Sequence, residues 1–284
     1  MKLVSVVLGA LILAGFGGAL HPAGDALAVF RVPFLLLFAL AVIWSMWPRK
    51  LRWPLAGLAM LGLLPHVWWP TTMGEGLTLY QQNLLWNRTE YDAWLAAVRA
   101  ARPDFLTLQE VSEKNLALLD ALRPLYPYQH HCPFGPELGE AVLSRHPLIE
   151  GSTRCSGRDG FAAAQVDLGG APIWLVSLHL TWPWPYDQAQ QVASLLPELR
   201  ALEGPVILGG DFNSVAWSHT LARVAEATRT KRVGRYVKTF SLPGIGLPIE
   251  IDHVLAPQGK GQRLRPLPKL GSDHHGLWAV IKRP

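Results

Sequence analysis

Val206-Ile207-Leu208-Gly209-Gly210-Asp211-Phe212-Asn213 is a short apolar run closed by an acid and an amide. Aliphatic residues bounded by glycines, too few for a helix, read as a strand covered on both faces. Asp211 and Asn213 then fall at the strand's end, where a side chain reaches a cleft from a rigid support. Taken alone, the pair equally suits a turn after a buried strand.

The same arrangement recurs on either side. Apolar stretches lead into Asn83, into Gln109-Glu110, into His179 and into Asp252, and Ser272-Asp273-His274 stands shortly before the last strand-like run. Residues 77–86 alternate polar and apolar like a half-buried strand. Thr89 opens a helix with Asp92 as its capping partner and Tyr91, Trp94, Leu95 and Val98 on one face. Residues 105–111 form the next strand, and Ser112 caps a helix running to about residue 122. Short strands follow over 126–132, 140–145, 148–155, 161–168 and 173–180, parted by turn signals such as Gly169-Gly170. A helix over 186–202 leads into the 205–209 strand. A helix over 219–228, a Gly/Pro-rich loop and strands over 249–255 and 277–282 complete an α/β pattern of packed sheet layers with helices outside.

Acidic, amide and imidazole groups at so many strand ends point to an oxygen-ligand cation site. Glu110 is the natural anchor for a hard ion such as Mg²⁺ (or Mn²⁺), and Asn83 and Asp273 could add a ligand or hold a metal-bound water. Such an ion neutralises charge that develops in an in-line phosphoryl displacement. Asp252 with His274 gives a carboxylate orienting an imidazole. The lack of a Cys/His ligand cluster argues against zinc.

Together, Gln109-Glu110, Ser177-Leu178-His179, Gly210-Asp211-Phe212-Asn213, Ile251-Asp252 and Ser272-Asp273-His274 resemble the signature of the endonuclease/exonuclease/phosphatase superfamily, the deoxyribonuclease-I-like fold. Asn83 and the stretch from Ala141 to Pro147 resemble further pieces of it. The resemblance covers residues 77–284. It implies two packed mixed β-sheets flanked by helices, a four-layer sandwich. It also implies roles: Glu110 as principal metal ligand with Asn83 beside it, and His179 and Asn213 on the non-bridging phosphoryl oxygens. Asp211 would orient or deprotonate the attacking water, His274 paired with Asp252 would contact the phosphate, and Asp273 would support the metal. Whether Asp211 or His274 is the general base stays open. No family position carries a disabling substitution.

The chain has 284 residues, half of them hydrophobic, which excludes general disorder. The apolar content is concentrated at the front. Before residue 71 the only charged residues are Lys2, Asp25, Arg31, Arg49, Lys50 and Arg52, so a boundary is expected there, with a membrane anchor over 1–70 and the catalytic domain over 71–284. Nearly all of the net charge of +5 comes from this front part and says little about nucleic-acid binding by the rest. Apolar runs at 3–20, 26–47 and 53–69 predict about three transmembrane helices, with Arg31 snorkelling and Trp68 and Trp69 at an interface. A cleavable signal peptide is the alternative for the first run, and a buried helical hairpin for the set. The basic residues put the N-terminus and the 48–52 loop in the cytoplasm, which makes this a multi-pass plasma-membrane protein with its catalytic domain outside. Cys132 and Cys155 would pair in such an oxidising space, or else stay as two thiols. A metal site from Cys132, His130 and His131 lacks a fourth spaced ligand.

The expected activity is hydrolysis of a phosphodiester, foremost of nuclease type. Phospholipid or sphingolipid diesters and phosphomonoesters are the alternatives, and a scaffold without turnover is the non-enzyme one. Arg223, Arg229, Lys231, Arg232, Arg235 and Lys238 could meet nucleic acid or anionic lipid, or form a solvated surface. Trp182-Pro183-Trp184-Pro185, just after His179, could stack on a base, dip into a bilayer interface, or pack in a loop.

Overall fold

The computed structural model describes residues 1–45, 47–63, 75–258 and 260–283. Helices α1 (Lys2–Ala14), α2 (Ala23–Ala28), α3 (Arg31–Ile43) and α4 (Arg49–Leu61) come first. Then follow β1 (Leu77–Asn83), α5 (Asp92–Ala101), β2 (Phe105–Gln109), α6 (Ala117–Leu122), β3 (Tyr128–Pro133), β4 (Gly139–Ser144), β5 (Arg154–Cys155), β6 (Phe161–Asp167) and β7 (Pro172–His179). The chain continues with α7 (Gln188–Arg200), β8 (Val206–Asp211), α8 (His219–Ala227), β9 (Thr230–Arg232), β10 (Phe240–Ser241), β11 (Pro248–Ile249), β12 (Asp252–Pro257), β13 (Gly261–Pro266) and β14 (Leu277–Ile281).

Two six-stranded sheets have the orders β13-β14-β1-β2-β4-β3 and β5-β6-β7-β8-β12-β9. Each is built around one parallel pair, β1 with β2 and β7 with β8, and is otherwise antiparallel. Parallel neighbours need a crossover, which α5 and α7 supply. Side-chain alternation then fixes the layers. Leu77, Leu79 and Phe105 of the first sheet meet Ile173, Leu175, Ile207 and Val254 of the second in an inter-sheet core. Tyr80, Leu106 and Leu108 face outward onto Trp94, Val98 and Leu118 of α5 and α6. Val176, Leu178 and Leu208 face Val192, Leu195, Leu199 and Val224 of α7 and α8. The order is helices, sheet, sheet, helices.

Toward the carboxyl ends of the parallel pairs the inter-sheet space turns polar. Gln81 Nε2 donates to Gln109 Oε1 at 2.8 Å, and Gln109 Nε2 to Ser177 Oγ at 2.8 Å. Ser177 Oγ donates in turn to the Leu108 carbonyl, which ties the second sheet back to the first. Gly209 is needed at this seam, because a Cβ there would lie 2.3 Å from Thr107 Oγ1.

Several expectations shift. Helix α5 begins at Asp92, not Thr89, with Tyr91 at its cap position and no side-chain cap bond. Ser112 does not cap α6, which starts at Ala117 with Leu116 at its cap position; the Ser112 hydroxyl donates to the Trp86 carbonyl and accepts from the Lys114 amide at 3.2 Å. The 148–155 strand shrinks to β5 and a single bridge between Leu148 and Val166. The segment expected as a Gly/Pro-rich loop forms β9, β10 and β11, and β13 was not foreseen.

The front end differs most from its reading as three spans. The 3–20 run breaks after Ala14 into a turn at Gly15 and a 3-10 turn at Gly17–Ala19. The 26–47 run is divided between α2 and α3. The third helix starts at Arg49, while residues 64–69 and the expected boundary near 70 lie outside the described residues. Among the described residues no helix is long and apolar enough to cross a membrane. Arg31 does not snorkel: its Nη2 donates to the Gly15 carbonyl at 2.7 Å, and its guanidinium lies 3.8 Å from the Phe16 ring centroid. The break also serves docking. Buried Asp25 accepts from the amides of His219 and Thr220 at 2.7 and 2.8 Å, satisfying orphan donors of α8 from outside that helix. Trp217 Nε1 donates to the Ala28 carbonyl, and Ala28 and Val29 join Val215, Phe240, Ile249 and Ile251 in one apolar cluster.

Cys132 and Cys155 form a disulfide across 23 residues, tying β3 to β5, the edge strands of the two sheets. With both sulfurs bonded to each other, no thiolate is left for a metal beside His130. By loop-closure entropy this bridge stabilises the fold by about 3 kcal/mol. A Cys132→Ala/Cys155→Ala variant is expected to lose stability on that scale in urea unfolding, with its far-UV spectrum unchanged.

Candidate active site

The polar strand ends converge on a cleft of about 360 Å³ lined by Glu110, His179, Asp211, Asn213, Asp273 and His274, among others. Asn83 and Asp252, 1% and 0% exposed, lie just behind it. Strand order explains the meeting. Asn83 and Glu110 sit at the carboxyl ends of β1 and β2, and His179 and Asp211 at those of β7 and β8. Asp252 opens β12 directly opposite Asp211. Ser272 Oγ donates to the Asn83 carbonyl at 2.7 Å and accepts from the His274 amide at 2.9 Å, which holds the loop before β14 against the end of β1.

His274 is the best-fixed side chain. Its Nδ1 stands 2.8 Å from Asp252 Oδ2, while Asp252 Oδ1 accepts from Gln81. Phe240 packs on the imidazole at a centroid distance of 4.7 Å. The other nitrogen, Nε2, lies 3.7 Å from Asp211 Oδ2, which is also 3.7 Å from His179 Nε2. Asp211 thus stands between two imidazoles. Burial works to lower the His274 pKa, yet Asp252 and Asp211 outweigh it and raise it to about 10. His179 behaves alike: burial lowers it, but Glu140, Asp211 and Glu110 carry it up to about 9. Burial raises the Asp211 carboxyl to about 6, with His274 and His179 opposing and Asp252 assisting. The Asp252 carboxyl is held below its ordinary range because His274 and hydrogen bonds overcome its burial. At neutral pH the cleft holds two imidazolium ions around an ionised Asp211.

Glu110 and Asn213 take left-handed backbone angles, φ +56° and +46°. For glutamate this costs about 1–3 kcal/mol, and the cost is borne where the side chain must point. The Asn115 amide grips the Glu110 carbonyl, and the Glu110 carboxylate accepts from the Trp86 amide and from Asn83 Nδ2. Asn83 Nδ2 also reaches Asp211 Oδ2, while its Oδ1 accepts from the Leu85 amide. As placed, Asn83 therefore offers hydrogen to the two carboxylates rather than an oxygen to a metal. Asn213 Nδ2 donates to the Leu180 carbonyl and keeps a second amide hydrogen.

Asp211, Asp252 and His274 lie close enough to share an ion. However, both Asp252 oxygens are occupied by His274 and Gln81, so that group reads as an oriented imidazole and not a ligand set. The carboxylates lining the cleft are Glu110, Glu140, Asp159, Asp187, Asp211 and Asp273. Glu140 is turned to His179, and Asp159 and Asp187 to Arg158, while Asp273 is about half exposed with its Oδ1 4.0 Å from His274 Nε2. A donor set of carboxylate oxygens fits a hard divalent cation such as Mg²⁺ or Mn²⁺.

One residue of the site was not singled out in the sequence. Glu140, 1% exposed, places Oε1 3.5 Å from His179 Nδ1, on the side away from Asp211. Burial raises its carboxyl, with His179 opposing. The signal was an acid opening the otherwise apolar strand Ala141-Val142-Leu143. Glu140→Gln removes that charge, so His179 is expected to titrate below its value of about 9. An NMR titration of the imidazole C2 proton reads this directly.

Two packed mixed sheets flanked by helices, with acids and imidazoles gathered at the strand ends, define a class of fold. The profile of the endonuclease/exonuclease/phosphatase family matches residues 80–274, and the chain belongs to that family. No curated protein matches it by sequence. Among solved structures, an AP endonuclease from Archaeoglobus fulgidus superposes with TM-score 0.59 at 15% identity, covering 73% of this chain and 100% of that one. D. rerio TDP2 complexed with a single-strand DNA product gives 0.58 at 17%, covering 74% and 100%. Staphylococcus aureus beta toxin with bound magnesium ions gives 0.55 at 13%, covering 73% and 100%. Likeness at these identities concerns the fold.

Proposed function

We propose that this protein is a divalent-metal-dependent hydrolase of phosphodiesters that works by in-line attack of water. The observation that carries the reading is Asp211 held between the His179 and His274 imidazoles, with Glu110 beside them in one cleft. Glu110, with Asp273, would hold the cation, which when bound would neutralise charge on the phosphoryl oxygens. The side chains do the rest. His179 and His274, both protonated, donate to the non-bridging oxygens, and Asn213 adds its spare amide hydrogen. Asp211 accepts a proton from the attacking water as the new P–O bond forms and the ester oxygen opposite departs. This assigns the base to Asp211, because His274 already carries its proton at neutral pH.

Lipid diesters are favoured over nucleic acid by one feature. Among the described residues, none of those lining the cleft is Lys or Arg. A polyanion needs such side chains along its backbone. Within the basic run of 223–238, Arg229 donates to the Arg200 and Leu202 carbonyls, and Arg232 pairs with Glu250. On the rim, Arg158 is paired with Asp159 and Asp187. The disulfide favours an oxidising compartment for this domain.

The full chain is expected to release p-nitrophenol from bis-(p-nitrophenyl) phosphate with Mg²⁺ and not with EDTA. Asp211→Asn is expected to lose roughly 10²–10⁴-fold in kcat. In the wild type, activity should fall as pH drops through about 6, where Asp211 gains its proton and can no longer accept one. A flat profile between pH 5 and 7, or an active Asp211→Asn variant, would sink the assignment of the base.

A further inference from the structure

The packing of α1, α3 and α4 is inverted relative to a bundle that folds in water. Small or polar residues make up much of the inside: Ser5, Ala39, Ala56 and Ala59 are buried beside Leu35 and Val42, and Gly9 meets Phe38 closely enough that a Cβ would sit at 3.3 Å. Most of the large aliphatic side chains face out, Leu3 at 76%, Leu40 at 55% and Leu58 at 67% exposure. Most exposed large apolar residues of the described chain fall in these three helices. In water this arrangement forfeits burial of about 25 cal/mol per Å² of apolar surface. In lipid it costs nothing, since acyl chains solvate the leucines and small residues let the backbones approach.

Charge is distributed along the bundle to match. The start of α1, the end of α3 and the start of α4 meet at one tip, where Lys2 lies 5.9 Å from the Trp47 ring, Trp47 Nε1 donates to Ser5 Oγ, and Arg52 donates to the Ile43 carbonyl. This tip carries Arg49, Lys50 and exposed Trp53 and no acid. Basic and tryptophan side chains are the pairing that suits anionic headgroups at an interface. The opposite end is the one docked on the catalytic domain by Asp25, Ala28 and Val29. There the ring of exposed Trp184 meets His21, and Trp182 of the same loop lines the cleft.

We propose that lipid is the missing solvent of this bundle: α1, α3 and α4 insert together into a bilayer, with the basic tip at one headgroup layer and the cleft held beside the other. Each helix has 13 residues, about 20 Å of rise against a hydrocarbon core of about 30 Å. Local thinning and snorkelling of Lys2, Arg49 and Lys50 take up the mismatch. The bundle is no taller than its helices, so it inserts where the bilayer thins around it.

Flotation of the full chain with vesicles of phosphatidylcholine and phosphatidylglycerol tests this without reference to turnover, so it stands or falls separately from the hydrolase reading. The protein is expected to float and to remain with the vesicles through 1 M salt and alkaline carbonate. Because both native cysteines are bonded to each other, Leu37→Cys carries an environment-sensitive fluorophore as a single label. Its emission should shift to the blue on vesicle addition, whereas a label at Glu203→Cys on the catalytic domain should not shift. A chain that stays at the bottom of the gradient, a Leu37→Cys label without a shift, or a stable lipid-free oligomer covering the same leucines would overturn the proposal.

Discussion

The hydrogen-bonded seam between the two sheets is the constraint on which the site depends. Gln81, Gln109, Ser177 and Asp252 are all fully buried, and each would cost on the order of 1–3 kcal/mol if left without a partner. Their bonds close only when the sheets hold one relative position. Asn83 and Glu110 belong to the first sheet, and His179 and Asp211 to the second, so any slide of one sheet over the other would separate the halves of the site. The seam also reaches the chemistry, because Gln81 holds the Asp252 oxygen that His274 does not use. An apolar seam would pack as well, but it would not specify that position.

Charge balance is the second consequence of burial. Asp211 and Asp252 are almost wholly removed from solvent, as is His274. Such ions persist only in compensating company. The Asp252–His274 pair neutralises itself. Asp211 is left to share two imidazolium neighbours, and burial still lifts its carboxyl toward neutrality. A carboxylate poised in this way accepts a proton more readily than one in water, while its neighbours cannot. In the proposed reaction, acid and base roles are thus divided by environment among residues that a motif only names.

What the sequence made legible follows from where the signal is local. A side chain after a buried strand can be read one strand at a time, which is why Glu110, His179, Asp211 and Asp252 stood out. Glu140 was not visible in that way: it begins its strand, and its meaning comes only from the neighbouring sheet, where His179 lies. Strands β9 and β13 were missed because they are edge strands, short or rich in charge, and gain their identity from β12 and β14. The pairing of the cysteines likewise had to await the meeting of two sheet edges. At the front end, hydropathy correctly marked apolar surface, but it could not show that Asp25 and Arg31 fold the chain back on itself. Composition reports how apolar a segment is, whereas the breaks at Gly15 and Phe30 decide how long its helices are.

Those breaks join the two parts of the molecule into one mechanical unit. Asp25 caps α8, whose preceding turn holds Val215 and Trp217. Val215 shares an apolar cluster with Val29 and Phe240, and Phe240 rests on the His274 ring. Ile251 of the same cluster directly precedes Asp252. The His274 imidazole is therefore supported from below by Asp252 and Gln81, and from the side by a wall to which residues 28–29 contribute. A flexible tether would make none of these contacts. The front segment is better understood as part of the scaffold of the site, and displacing it would expose Ile249, Ile251 and Phe240 to water next to the His274 imidazole.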